Sequence, residues 1–218
     1  MSLDNEVKPI GLTDGRVRVV IESIQPAVDG GRFPIKRVKG DEVVVEADCF
    51  ADGHDVLACA LKWRRAGSAW NSTPMQPLGN DRWQARFVPD ALGTWEYAVS
   101  AWVDPFLSWR HDFARRVDAD DVRIAAASGA SLIEECADRS DSSADADLLR
   151  AWSGELAKLA ADPTADVDAF KRLGNDEARA AIACRHPDLR HAFTHPQTCA
   201  VTVERERARF SAWYEFFP

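Results

Sequence analysis

An Asp/His group between the second and third predicted strands is the first place where side chains could do chemistry. Asp52, His54 and Asp55 surround Gly53. Carboxylates beside an imidazole can move protons in general acid–base catalysis. The same four residues also suit a tight turn, because Asp and Gly satisfy local backbone groups there. We favour the turn and keep acid–base work as the alternative.

Three histidines near residue 190 could bind a metal ion. His186, His191 and His195 are spaced by five and four residues, so His191 and His195 would share one face of a helix. His-Pro pairs stand at both ends of the stretch, however, and no Cys or carboxylate joins the histidines at ligand spacing. We therefore expect a loop without a metal site, and we expect no cofactor.

Motifs for covalent or phosphate chemistry are missing from the sequence. It contains no Gly-x-Ser-x-Gly nucleophile elbow, no Gly-x-x-x-x-Gly-Lys loop and no Gly-x-Gly-x-x-Gly fingerprint. Its paired carboxylates, such as Glu134-Glu135 and Asp120-Asp121, fall on the predicted water-facing sides or first turns of helices. An independent small enzyme is therefore our least favoured interpretation, and we assign no catalytic residue.

Tryptophans are the remaining candidates, because aromatic faces stack on sugar rings and anchor protein interfaces. Six of the eight lie between Trp63 and Trp109. Four occupy the apolar phase of predicted strands, which favours core positions: Trp63, Trp83, Trp95 and Trp109. Trp70 and Trp102 are out of phase with the buried face. They are our candidates for contact with a carbohydrate or with another protein.

Composition limits the environment and the partners of the chain. It has 218 residues, with 27 Lys and Arg against 35 Asp and Glu and a net charge of -8, which argues against nucleic acid as a partner. No run of about 18 apolar residues could span a membrane, and Met1–Glu6 does not begin like a secretory signal. Five cysteines without a Cys-x-x-Cys pair favour a reducing cytoplasm.

The amino-terminal half alternates apolar and polar residues, which predicts strands. Alternation runs through residues 17–22, 42–48, 61–64, 82–87 and 94–100, and we extend it to a strand through Leu107, Trp109, His111 and Phe113. Gly-containing turn signals separate the runs. Short strands without intervening helices predict an immunoglobulin-like antiparallel β-sandwich.

The stretch 118–199 changes to a period of three to four residues and predicts a small helical bundle. Asp120 and Asp121 suit the first turn of one helix, and Ser142 suits the cap of the next. We expect Thr164 and Asn175 to cap two more.

Alternation returns near residue 200, so the chain is mainly β with an inserted α segment. We predict a β-sandwich made of residues 1–117 and 200–218, interrupted by the helical bundle 118–199. The aromatic run at residues 210–217 would form an exposed apolar patch unless another part of the protein covered it. We therefore expect a further domain to follow residue 218.

Several stretches resemble the amino-terminal part of the bacterial maltosyltransferases that extend α-glucans from maltose 1-phosphate. They are residues 31–36, 45–55, 80–83, 101–110 and 204–218. The most specific are Phe-Ala-Asp-Gly-His-Asp at 50–55 and the run 204–218, which ends in Trp-Tyr-Glu-Phe-Phe-Pro. The resemblance covers almost the whole chain and is weakest in the helical insertion.

This resemblance implies a family of the retaining α-amylase clan, whose members carry a carboxylate nucleophile and a carboxylic acid about 5–5.5 Å apart. In the family both residues lie on a (β/α)8 barrel that begins just after the Trp-Tyr-Glu-Phe-Phe-Pro segment. The resemblance also implies a homodimer that assembles largely through the β-sandwich and the helical insertion. No catalytic residue of the family maps onto this sequence.

From the resemblance we hypothesise an accessory amino-terminal region of a maltosyltransferase. The parent enzyme would be a glycosyltransferase that uses α-maltose 1-phosphate and an α-glucan acceptor and releases phosphate, whereas this piece alone would be inactive. The alternative is a free-standing α-glucan-binding module, which would use Trp70 or Trp102.

Overall fold

The computed structural model describes residue 15 and residues 17–209, which form ten strands and five α-helices. The strands are β1 Val19–Gln25, β2 Ile35–Val38, β3 Val43–Ala51, β4 Leu57–Arg65, β5 Asn71–Pro74, β6 Gln76–Gly79, β7 Arg82–Phe87, β8 Gly93–Val103, β9 Phe193–Thr194 and β10 Cys199–Glu204. The helices are α1 Pro105–Arg115, α2 Ala119–Asp138, α3 Ser143–Ala161, α4 Val167–Gly174 and α5 Glu177–Ala183. A 3-10 turn follows at Glu206–Arg209.

The strands form two sheets, one in the order β1-β3-β7-β6 and one in the order β2-β10-β8-β4-β5, with β9 paired to β8. Pairing is antiparallel except between β10 and β2, which run parallel with Val201 opposite Ile35. The prediction of a purely antiparallel arrangement is wrong at this pair. A parallel pair needs a long crossover, and the long segment between β2 and β10, which contains all five helices, supplies one.

Both sheets contribute to one hydrophobic core. In β3 the side chains of Val43, Val45 and Ala47 are fully buried, while the residues between them are half-buried. Trp63 of the second sheet stacks on Phe87 of the first, with ring centroids 5.3 Å apart. The period-two prediction is therefore confirmed along β3.

The predicted core tryptophans divide between two places. Trp95 is buried between the sheets, and Trp63 and Trp83 pack half-buried against the same core. Trp109 instead belongs to a second core formed by the helices.

The strand predicted through Leu107 and Phe113 is wrong, because these residues lie in α1. The Asp104 side chain accepts a hydrogen bond from the backbone N–H of Leu107, and a proline occupies the first turn. This combination starts a helix. In α1 the buried residues are Phe106, Trp109 and Phe113. Their spacings of three and four residues are those of one face of a helix.

Trp109 fits into the helical core because α2 has a glycine where the ring crosses it. A Cβ added to Gly129 would lie 2.0 Å from Cζ2 of Trp109. The indole Nε1 donates to the carbonyl oxygen of Ala125, at 2.7 Å. The close approach therefore fixes the packing of α1 on α2 in one register.

The predicted caps are correct in one helix and displaced in two. Ser142 caps α3 and accepts from the N–H of Asp145, as expected. Asp166 and Asp176, not Thr164 and Asn175, cap α4 and α5. In each case a carboxylate close by accepts the first-turn N–H. Thr164 instead donates to Asp162, and Asn175 ends α4.

After the helices, β10 brings residues 199–204 into the second sheet. β10 lies between β2 and β8. The predicted aromatic run at 210–217 lies outside the described residues. Among the described helices, none combines the length and the apolar composition needed to cross a bilayer.

Candidate functional site

A cavity of about 840 Å³ lies beside β4 and β8 and is bordered by the segment that follows α5. Small side chains such as Ala58, Ala60 and Ser100 form its floor. Leu107 of α1 and Leu189 of the segment after α5 form part of the wall, and Leu189 is 53 % exposed. The lining is mostly apolar, which is typical of surfaces that contact other proteins or apolar ligands.

The buried polar groups of this cavity are already paired within the chain. Asp104 is 4 % exposed. Its carboxylate accepts from the N–H of Leu107 at 2.9 Å and from the indole Nε1 of Trp102 at 3.2 Å. It therefore acts as a helix cap and as an anchor for the ring, and both hydrogen bonds hold the cavity wall in place.

The thiol of Cys59, which also lines the cavity, is buried and paired with another thiol. A hydrogen bond with the Cys49 thiol, together with burial, raises the pKa of Cys59 far above its ordinary value. The thiolate is the reactive form of cysteine. The mostly apolar lining of this cavity suits contact with an apolar surface.

Trp102, one of the two predicted contact residues, lines this cavity and is itself buried, at 9 % exposure. The sequence correctly places it on the face of β8 that points away from the core between the sheets, because it is absent from that core. What the alternation could not reveal is that α1 and the segment after α5 cover that face. A role for Trp102 in contact with glycan or protein stays a prediction.

Trp70, the other predicted contact residue, lies in the connection between β4 and β5 and is 39 % exposed. The guanidinium of Arg64 lies 4.2 Å from the centre of its ring. Arg64 is also paired with Glu96 at 2.6 Å. One face of the indole is therefore occupied by a cation–π contact, and its contact with a ligand likewise stays a prediction.

The Asp/His group around Gly53 forms a turn that is fastened to the start of the first sheet. Arg18 donates to the carboxylate of Asp52 at 2.7 Å and to that of Asp55 at 2.6 Å. These hydrogen bonds raise the pKa of the Arg18 guanidinium, the bond to Asp52 most. Gly53 has a φ of +86°, which favours glycine. The turn interpretation explains all of these contacts.

The three histidines are not brought together as a ligand set. His186 contacts Asp145 at 3.0 Å, and the Nδ1 of His195 accepts from the backbone of Gln197 at 3.2 Å. Within residues 17–209, no three His, Cys, Asp or Glu side chains are grouped so that they could hold a metal ion.

Sequence reasoning missed the contact that joins the loop before β4 to α1. The Ser108 hydroxyl accepts from the backbone N–H of Val56 at 2.8 Å and donates to the carbonyl of Asp104 at 2.7 Å. The only signal in the sequence was the helix start at Asp104-Pro105, which places a serine one turn into α1.

Comparison with known proteins identifies a family for most of the chain. Residues 17–205 match the model of the family described as "Alpha-1,4-glucan:maltose-1-phosphate maltosyltransferase, domain N/S". The chain is similar to the alpha-1,4-glucan:maltose-1-phosphate maltosyltransferase of Chlorobaculum tepidum, with 40 % identity over 94 % of this chain and 30 % of the relative.

Two further relatives carry the same description. That of Myxococcus xanthus is 37 % identical over 95 % of this chain and 32 % of its own length. That of Rhodospirillum rubrum is 40 % identical over 92 % of this chain and 30 % of its own length. The chain thus spans slightly under a third of the curated relatives that it matches.

Proposed function

Because the chain belongs to the alpha-1,4-glucan:maltose-1-phosphate maltosyltransferase domain N/S family, we propose that it is the accessory amino-terminal region of such an enzyme. The parent enzyme would transfer a maltosyl unit from α-maltose 1-phosphate to an α-1,4-glucan and release phosphate. The role of this region is to support a catalytic barrel and to join two subunits.

One observation carries the proposal. The match covers 94 % of this chain but only 30 % of the Chlorobaculum tepidum relative. A region that corresponds to a minor share of a longer enzyme is expected to support it, with the reacting carboxylates elsewhere. The comparisons give no support to the alternative of a free-standing glycan-binding module, since the relatives named above are all described as maltosyltransferases.

The domain division is part of the same proposal. The β part comprises residues 1–117 and 200–218, as an immunoglobulin-like sandwich, and residues 118–199 form the inserted helical bundle. Two sheets with one shared core, and a separate core among the helices, support a division into these two parts. Helix α1, Pro105–Arg115, is the exception to the boundary at 118, because it precedes that boundary but packs in the helical core.

Association of two copies is supported by the apolar cavity beside β4 and β8. Its wall includes Leu189, which is 53 % exposed and available to an apolar partner surface. All five cysteines are free thiols, which is typical of the cytoplasm, and we place the enzyme there. The proposal assigns no cofactor to this region.

A phosphate-release assay tests the accessory role. The 218-residue polypeptide, supplied with α-maltose 1-phosphate and glycogen, is expected to release no phosphate above the uncatalysed background, because retaining glycosyl transfer needs a positioned pair of carboxylates. The full-length Chlorobaculum tepidum relative is the positive control. Multiple turnovers by the 218-residue polypeptide would contradict the proposal.

A further inference from the structure

A second cavity, of about 350 Å³, lies where the turn around Gly53 meets α1 and α2. Its size falls within the range of small-molecule sites. Polar side chains from three separate elements line it: His54, Asp55, Ser108, Asp112, Arg116 and Ser128. This cavity is distinct from the apolar one beside β4 and β8, and the accessory role described above does not use it.

Three hydrogen bonds hold parts of the wall of this second cavity in place. The contact of the Ser108 hydroxyl with Val56 ties the turn to α1. Arg18 holds the Asp55 carboxylate at 2.6 Å. The Trp109 indole, which forms part of the lining, is fixed on α2 by its bond to Ala125. The turn, α1 and α2 are therefore already positioned around the cavity, and a ligand would order only the exposed side chains at its mouth.

The charges in this cavity are balanced, which selects the class of ligand. Each lining carboxylate already has an arginine partner: Asp55 pairs with Arg18 at 2.6 Å, and Asp112 lies 4.0 Å from Arg116. No unpaired charge awaits a phosphate or an ammonium group. Ionised carboxylates can nonetheless accept further hydrogen bonds, and a guanidinium has several donors. A neutral ligand rich in hydroxyl groups satisfies both.

An apolar surface stands beside these polar groups. Ile124 of α2 lines the cavity and is 66 % exposed, and the largely buried Trp109 of α1 also contributes to the lining. A sugar ring presents hydroxyl groups at its edge and C–H groups on its face. It therefore matches a site in which carboxylates and a guanidinium adjoin an exposed aliphatic side chain.

We propose that this cavity binds carbohydrate and holds a short segment of an α-1,4-glucan. The carbohydrate class follows from the cavity itself, whereas the choice of an α-1,4-glucan rests on the proposed function. Asp112 and Asp55 accept hydrogen bonds from sugar hydroxyls, Arg116 and His54 donate to sugar oxygens, and Ile124 contacts the ring face. The site would retain an acceptor chain on the accessory region.

Calorimetric titration of the 218-residue chain with maltoheptaose tests this inference. We expect saturable binding that Asp112→Ala and Arg116→Ala each weaken about 10-fold or more, because each removes a charged hydrogen-bonding group. Both side chains are solvent-accessible, 66 % and 41 % exposed, so the variants are expected to keep the far-ultraviolet circular dichroism of the parent. Asp147→Ala, an exposed carboxylate on α3, is the matched control and should bind like the parent.

Three results would overturn the inference. The first is the absence of binding up to about 10 mM maltoheptaose, a concentration that reveals even weak sites. The second is binding that survives both cavity variants but is lost in Trp70→Ala. The third is equal binding of cellohexaose, which would remove the α-glucan assignment. None of these would give the polypeptide phosphate-releasing activity, so this inference and the accessory role can fail separately.

Discussion

Replacing Trp152 with alanine is expected to lower the free energy of unfolding by about 3–5 kcal/mol. Trp152 is fully buried in the helical core. Its ring meets Phe106 edge-on at 6.1 Å, and its Nε1 donates to the carbonyl oxygen of Leu173 at 2.9 Å. The substitution leaves a cavity among α1, α3 and α4 and an unpaired carbonyl. Urea unfolding followed by far-ultraviolet circular dichroism measures the loss.

Leu148→Ala is the matched control, because Leu148 lies on the same helix, one turn earlier, and is 53 % exposed. It should change the free energy of unfolding by less than about 1 kcal/mol. Equal losses in the two variants would mean that α3 does not bury the face that carries Trp152.

Placing a carboxylate in the interior of β10, by Val201→Asp, is expected to cost about 3 kcal/mol or more. Val201 is fully buried, opposite Ile35 on one side and Trp95 on the other. An unpaired charge there has no compensating partner. Burial raises the pKa of the new carboxyl, so the ionised form carries the cost. The deficit should therefore be largest near neutral pH and shrink as the pH falls through that raised pKa.

Thr202→Asp provides the control on the neighbouring position of β10. The side chain of Thr202 points to the other face of the strand and is half-buried, so the loss should stay near 1 kcal/mol. Equal losses of unfolding free energy in the two variants would mean that the side chain of Val201 is not buried in the core. That result would contradict the placement of β10 between β2 and β8.

The sequence predicted elements well wherever one face of an element meets water. The alternation of Val43 and Val45 with half-buried neighbours marked β3, and Ser142 marked the start of α3. The stretch from Leu107 to Phe113 was predicted wrongly because three apolar residues at period two, with His111 between Trp109 and Phe113, outweighed a stronger signal. Asp104 followed by Pro105 is a helix start, and giving it precedence would have predicted α1.

The sites were harder to predict than the elements, for a physical reason. Periodicity tells which face of a strand or helix a side chain occupies, but not which distant segment covers that face. Trp102 was placed on the correct face of β8, yet residues after α5 close over it. The cavity at Asp112 joins a turn, α1 and α2, which only tertiary packing brings together. The family resemblance, by contrast, could be reached from short motifs.

Sedimentation equilibrium of the 218-residue polypeptide tests the central claim, that this region joins two subunits of a maltosyltransferase. The account predicts a dimer of twice the chain mass of 24.2 kDa, forming within a range of about 1–100 μM. Leu189→Glu, at the rim of the apolar cavity, should shift the dimer towards the monomer. A mass that stays at 24.2 kDa across the whole range would contradict the account.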